Sequence, residues 1–139
     1  MPALNLISRV PKQLITTVTF TGAAGLGAIG TVAIATVTGR VLLQYVYSFC
    51  STLLTGASAT IAFGTANNTG GLIAATTATD IDANEFWTDT TPEVEVTVAL
   101  IERVVSANLI LTVATANVTA GVLEFGMLWT PMSANGNMG

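Results

Sequence analysis

The chain has 139 residues, enough for one domain, and only 9% of them are charged, where an average soluble domain carries about 25%. Its formal net charge is -4 and its pI about 4.3, which argues against a mainly electrostatic hold on nucleic acid. It has no histidine and one cysteine, Cys50, so histidine bases, Ser-His and Cys-His nucleophile pairs, the commonest transition-metal ligand and an intrachain disulfide are all excluded.

Residues 1–13, with Pro2 and Pro11, are expected to form an extended N-terminal arm. Arg9 and Lys12 ahead of a Thr-rich and then Gly-rich stretch make a poor signal peptide, so no export address is read. Residues 13–39 and 41–79 contain no Asp, Glu, Lys or Arg, yet threonine, serine and glycine break both windows, so a membrane-spanning helix is not expected. Twenty-three threonines, with many valines and isoleucines, favour strands instead.

Strands are expected at 14–20, 31–38, 41–49, 59–64, 71–77, 94–101, 108–115 and 122–129. Alternation is clearest in three of them. In 41–49, Val41, Leu43, Tyr45, Tyr47 and Phe49 share a face against Leu42, Gln44, Val46 and Ser48. In 94–101, Val94, Val96, Val98 and Leu100 share one. In 122–129, Leu123, Phe125, Met127 and Trp129 face away from Val122, Glu124, Gly126 and Leu128. Turn-type residues separate most of the strands, and the one long connection, 78–93, holds five of the eight acids. The tail 132–139 is expected to be flexible. The expectation is an all-β fold: an antiparallel β-sandwich of about eight strands over 14–131, jelly-roll-like. Strands 41–49 and 122–129 are apolar on both faces, which a lone sandwich cannot bury, and a homo-oligomer is expected to cover the surplus.

No motif carries chemistry. Gly25-Leu26-Gly27-Ala28-Ile29-Gly30 fits a dinucleotide fingerprint, but a β-branched strand follows it instead of a helix, and the next acid is Asp80. Asp80-Ile81-Asp82-Ala83-Asn84 copies the start of a calcium loop, but Glu85 stands where glycine is required and Thr91 where glutamate is. A looser cation site from Asp80, Asp82, Glu85 and Asp89 stays open beside a solvated acidic loop. Ser58 lacks the second glycine of a nucleophile elbow. Cys50, ending an apolar strand, reads as a small buried hydrophobe. No catalytic, cofactor or metal site is expected. Candidate interface residues are the large apolar side chains Tyr45, Tyr47, Phe49, Phe86, Trp87, Phe125, Met127 and Trp129, which would fill cores and subunit contacts. Phe86 and Trp87, among acids, would be either an anchor or a lid over the sandwich.

Two stretches carry a resemblance. LIAATTATDIDANEFWTDTTPEVEV (72–96) resembles a strand–loop–strand segment of tailed-bacteriophage capsid decoration, or cement, proteins. LILTVATANVTAGVLEFGMLWTPMS (109–133) resembles their C-terminal hairpin, with a "TANVTAG" turn and a Trp129-Thr130-Pro131-Met132-Ser133 ending. The resemblance implies a small β-sandwich, often a jelly roll, that trimerises on the outer surface of an icosahedral head. It would be assembled in the host cytoplasm and would bridge major-capsid subunits. No enzymatic activity, cofactor, nucleic acid or membrane is implied. Two other readings are another virion part, such as a tail or neck component, and a bacterial surface β-module binding glycan or calcium.

Overall fold

The computed structural model describes residues 10–96 and 102–139. The fold is all-β, with antiparallel sheets. Its strands are β1 (Lys12–Thr19), β2 (Gly30–Ala35), β3 (Val37–Thr38), β4 (Val41–Thr55), β5 (Thr60–Thr65), β6 (Asn68–Thr77), β7 (Glu85–Phe86), β8 (Arg103–Val105), β9 (Leu109–Ala114), β10 (Ala120–Pro131) and β11 (Asn137–Met138). Sheet one runs β1-β10-β4-β7, with β8 also on β4; sheet two runs β2-β9-β5-β6; β3 and β11 form a small third sheet. Among the long strands, β1, β2, β4 and β5 alternate between the two large sheets, β6 and β9 stay in sheet two with β5, and β10 returns to sheet one.

The inner faces share one apolar core. Sheet one contributes Val18, Leu43, Val46, Cys50, Leu123, Phe125, Met127 and Trp129; sheet two contributes Val32, Ile34, Ile61, Phe63, Ile73, Leu109, Leu111 and Val113. Phe63 and Phe125 meet across the gap with ring centroids 4.9 Å apart. Every second residue of β10 from Leu123 to Trp129 points inward, as its alternation predicts.

Strand β4 departs from simple alternation, and the departure matters. Leu128 pairs with Tyr45 but Trp129 pairs with Leu43, so an extra residue, Gln44, bulges out of the ladder. A bulge inserts one residue and reverses which parity faces the core. Val41 and Leu43 point inward before it; Val46, Ser48 and Cys50 point inward after it. The expected common face of Val41, Leu43, Tyr45, Tyr47 and Phe49 is therefore split, and the three aromatic residues turn to the outside of sheet one.

Two further expectations change. The tail 132–139 is not frayed: β11 pairs with β3, Gly139 and Thr36 exchange backbone hydrogen bonds of 2.7 and 3.0 Å, and Met138 is buried in the core. An apolar Met138 next to a free sheet edge explains why a polar, glycine-bearing tail still docks. The described part of the expected strand 94–101, Val94 to Val96, is not a strand, while β8 begins later at Arg103; residues 97–101 lie outside the described residues. Of the expected arm, Lys12 and Gln13 already belong to β1, and residues 1–9 lie outside the described residues. Among the described residues no helix is long and apolar enough to cross a membrane.

Candidate functional site

The outer faces of the two large sheets differ in kind. On sheet two the outward residues are mostly small, Thr31, Ala33, Thr60, Ala62 and Thr112, with Ile110 a larger apolar side chain among them, close to the pattern of a solvated sheet face. On sheet one the outward residues include Tyr45, Tyr47 and Phe49 of β4, Phe86 of β7, Leu128 of β10 and Ile15 of β1.

The ladder places these rings side by side. Phe49 pairs with Phe86 across β4 and β7, with ring centroids 5.0 Å apart. Tyr47 meets Phe86 nearly edge-on at 6.1 Å and Tyr45 at 6.3 Å, so four rings form one continuous row. Tilted and edge-to-face contacts are the favoured arrangements for aromatic pairs. Opposite Tyr47 on β10 stands Gly126, and a Cβ there would fall inside the Tyr47 ring. The glycine thus lets the tyrosine lie flat across the neighbouring strand, an arrangement in which an aromatic ring covers a bare strand glycine.

Beyond Gly126, the ring reaches Glu124: the Tyr47 hydroxyl donates to Glu124 Oε1 at 3.1 Å. Burial and then this carboxylate push the Tyr47 phenol above its ordinary pKa. Tyr45, Tyr47, Phe49, Phe86, Val96 and Glu124 line an open groove of about 480 Å³. A second hollow of about 190 Å³ adjoins it, bordered by Gln13, Tyr45, Tyr47 and Leu128. Ile15 is 50% exposed and Leu128 38% exposed, which extends the apolar surface over β10 to β1. Val96, a short way beyond the Phe86–Glu93 bridge, borders the groove.

The structure divides the candidate interface residues into two groups. Tyr45, Tyr47, Phe49 and Phe86 come together on the outer face. Phe125, Met127 and Trp129 lie in the core between the sheets, where none can meet a partner, although Lys12 Nζ stands 5.2 Å from the Trp129 ring. Trp87 also belongs to the core, completely buried. The adjacent residues Phe86 and Trp87 point to opposite sides because a strand alternates.

Trp87 ties the 78–93 connection down. Its backbone N–H donates to the Ser48 carbonyl of sheet one at 2.9 Å, and its Nε1 donates to Thr76 Oγ1 of sheet two at 2.9 Å. Thr76 passes the chain of bonds on to the Ala74 carbonyl. The connection is therefore folded on the sandwich, with Trp87 as its lid and Phe86 added to the outer row. Sequence reasoning missed Glu124 and Gly126 as members of this surface, since only the cross-strand register brings them beside Tyr47.

The other motifs hold little chemistry. In the acidic loop the Asp82 N–H is capped by Glu85 Oε2 at 2.9 Å and the Thr91 N–H by Asp89 Oδ1 at 2.7 Å, which is turn chemistry. Among the described residues no three acidic or cysteine side chains gather closely enough to hold a metal ion. Cys50 is buried, its Sγ donating to the Thr52 carbonyl at 3.1 Å, and burial pushes its thiol pKa up. Within 22–30, Gly27 is wedged against the Val118 carbonyl and Phe20, so this glycine serves close packing. No protein-family model, curated protein or solved structure matches the chain.

Proposed function

We propose that this chain is a structural virion protein that binds the outer surface of a tailed-phage capsid as an oligomer, a trimer on the pattern of the proteins it resembles, and stabilises the major-capsid lattice. It acts by shape and apolar burial and performs no catalysis. The observation that carries the reading is the aromatic outer face of sheet one, set against the mostly Thr/Ala face of sheet two, which bears no aromatic ring among the described strand residues. A monomer in water has no use for four clustered rings flanked by an exposed isoleucine and leucine; such patches mark contact surfaces. The strand order favours a jelly roll: the first and last long strands, β1 and β10, are neighbours, and the β5–β6 hairpin sits at the far edge of the other sheet. The resemblance of 72–96 and 109–133 supplies the capsid.

The test is light scattering on the purified chain, followed by mixing with expanded heads that lack their decoration protein. A discrete trimer that coats such heads and raises their resistance to heat is the expected result. Contacts made by apolar burial persist in about 1 M salt, where exposed charge contacts are screened. A monomer that ignores heads overturns the proposal. Rings or tubes with undecorated heads assign the chain to the tail or neck instead.

A further inference from the structure

The groove on sheet one is not purely apolar, and its single carboxylate narrows what can occupy it. Among the described residues the groove is lined by four aromatic rings, Val96 and Glu124, with no lysine or arginine. Glu124 accepts one bond from the Tyr47 hydroxyl, while a carboxylate offers about four acceptor sites, so it retains capacity for an incoming donor. Lys12, on β1 of the same sheet, is engaged with the Trp129 ring, its Nζ 5.2 Å from the centroid.

An apolar occupant would strip water from Glu124 and supply nothing in return, which is unfavourable for an ionised group. A second copy pressed face to face would bring two Glu124 carboxylates together in an apolar contact, which is worse. A sugar would find rings to stack on, but only Glu124 and two phenol hydroxyls to satisfy its many polar groups. A cationic side chain meets every feature at once: aromatic faces attract cations through their quadrupole, and the carboxylate completes a charge-assisted hydrogen bond.

We infer that the groove formed by Tyr45, Tyr47, Phe49, Phe86 and Glu124 accepts a lysine or arginine side chain from a basic segment of another protein. The inference rests on this face being the docking surface proposed above, but not on the partner being a capsid. The stem of the side chain lies along the rings, and its charged head reaches Glu124. At about 480 Å³ the groove has room for a guanidinium and its neighbours.

The test uses two peptides, acetyl-Gly-Arg-Gly-amide and acetyl-Gly-Gln-Gly-amide, titrated into the full chain while the tyrosine and phenylalanine ring signals are followed by NMR. The arginine peptide is expected to shift the Tyr45, Tyr47 and Phe86 rings saturably and to bind about tenfold tighter than the glutamine peptide. Glu124→Gln is expected to remove that preference, with the fluorescence of the two buried tryptophans, Trp87 and Trp129, unchanged as a report of intact fold. Equal binding of both peptides, no ring shifts, or a preference that survives Glu124→Gln would each overturn the inference. Ring shifts that depend on protein concentration alone would overturn it too, giving the groove to a second copy. The two proposals fail separately: arginine-peptide binding without head binding removes only the virion reading, and head binding without peptide binding removes only this one.

Discussion

Tyr47 depends on what its neighbour lacks. Because a Cβ on Gly126 would occupy the space of the Tyr47 ring, Gly126→Ala should push the ring off the strand and break its bond to Glu124. The expected cost is about 1–3 kcal/mol, read from urea unfolding. In a Tyr47→Ala background the same glycine change should cost almost nothing, since the obstacle is gone; equal costs in both backgrounds would disprove the coupling. A second residue-scale effect concerns alkaline pH. Cys50 and Tyr47 both have pKa values raised in the fold, from ordinary values of 9.0 and 10.0, burial being the main cause in each. A raised pKa means that the native state holds its proton more tightly than the unfolded chain. The contribution is therefore complete below about pH 9 and is lost as pH rises through the folded values. The urea midpoint should stay flat up to about pH 9 and then fall, and Cys50→Ala should delay the onset towards the tyrosine range. Tyr47 supplies the smaller share, because its ring is only half-buried and solvent screens it.

At the scale of elements, period two was legible wherever a strand runs straight. Strands β1, β2, β5, β6, β9 and β10 fall where alternation and turn residues put them, and the inward set of β10 is the expected one. What alternation cannot reveal is an inserted residue. Gln44 carries no mark of a bulge, yet it decides whether Tyr45, Tyr47 and Phe49 face core or solvent. Very short strands were equally hidden: β7, β8 and β11 have two or three residues each, too few for a period, and owe their pairing to neighbours already in place. For β11 this has a measurable consequence. Met138→Ala should lower stability by about 2 kcal/mol, at the low end for a buried methionine because a chain end relaxes readily, and lower Tm by roughly 6–10 °C. A loose tail would give no change.

At the scale of the whole molecule, the surplus of apolar surface was readable from composition, and half of the residues named for it do lie on one face. The other half were absorbed by the core, because composition counts aromatic residues without telling inner from outer. Glu124 was passed over as an isolated acid; its meaning comes from a strand 77 residues away in sequence, bonded to it through Tyr47. Strand β10 binds the architecture together in the same way. It lies between β1 and β4, pairing with β1 from Lys12–Trp129 to Thr19–Val122 and with β4 along most of its length. Sheet one therefore cannot take in β1 until β10 is in place, although the paired residues lie more than 100 positions apart in sequence. Strand β4 has the short strands β7 and β8 to pair with, but the long ladder along its aromatic stretch needs β10 as well. Folding is therefore expected to be slow, since a long loop must close before the contacts that reward it can form.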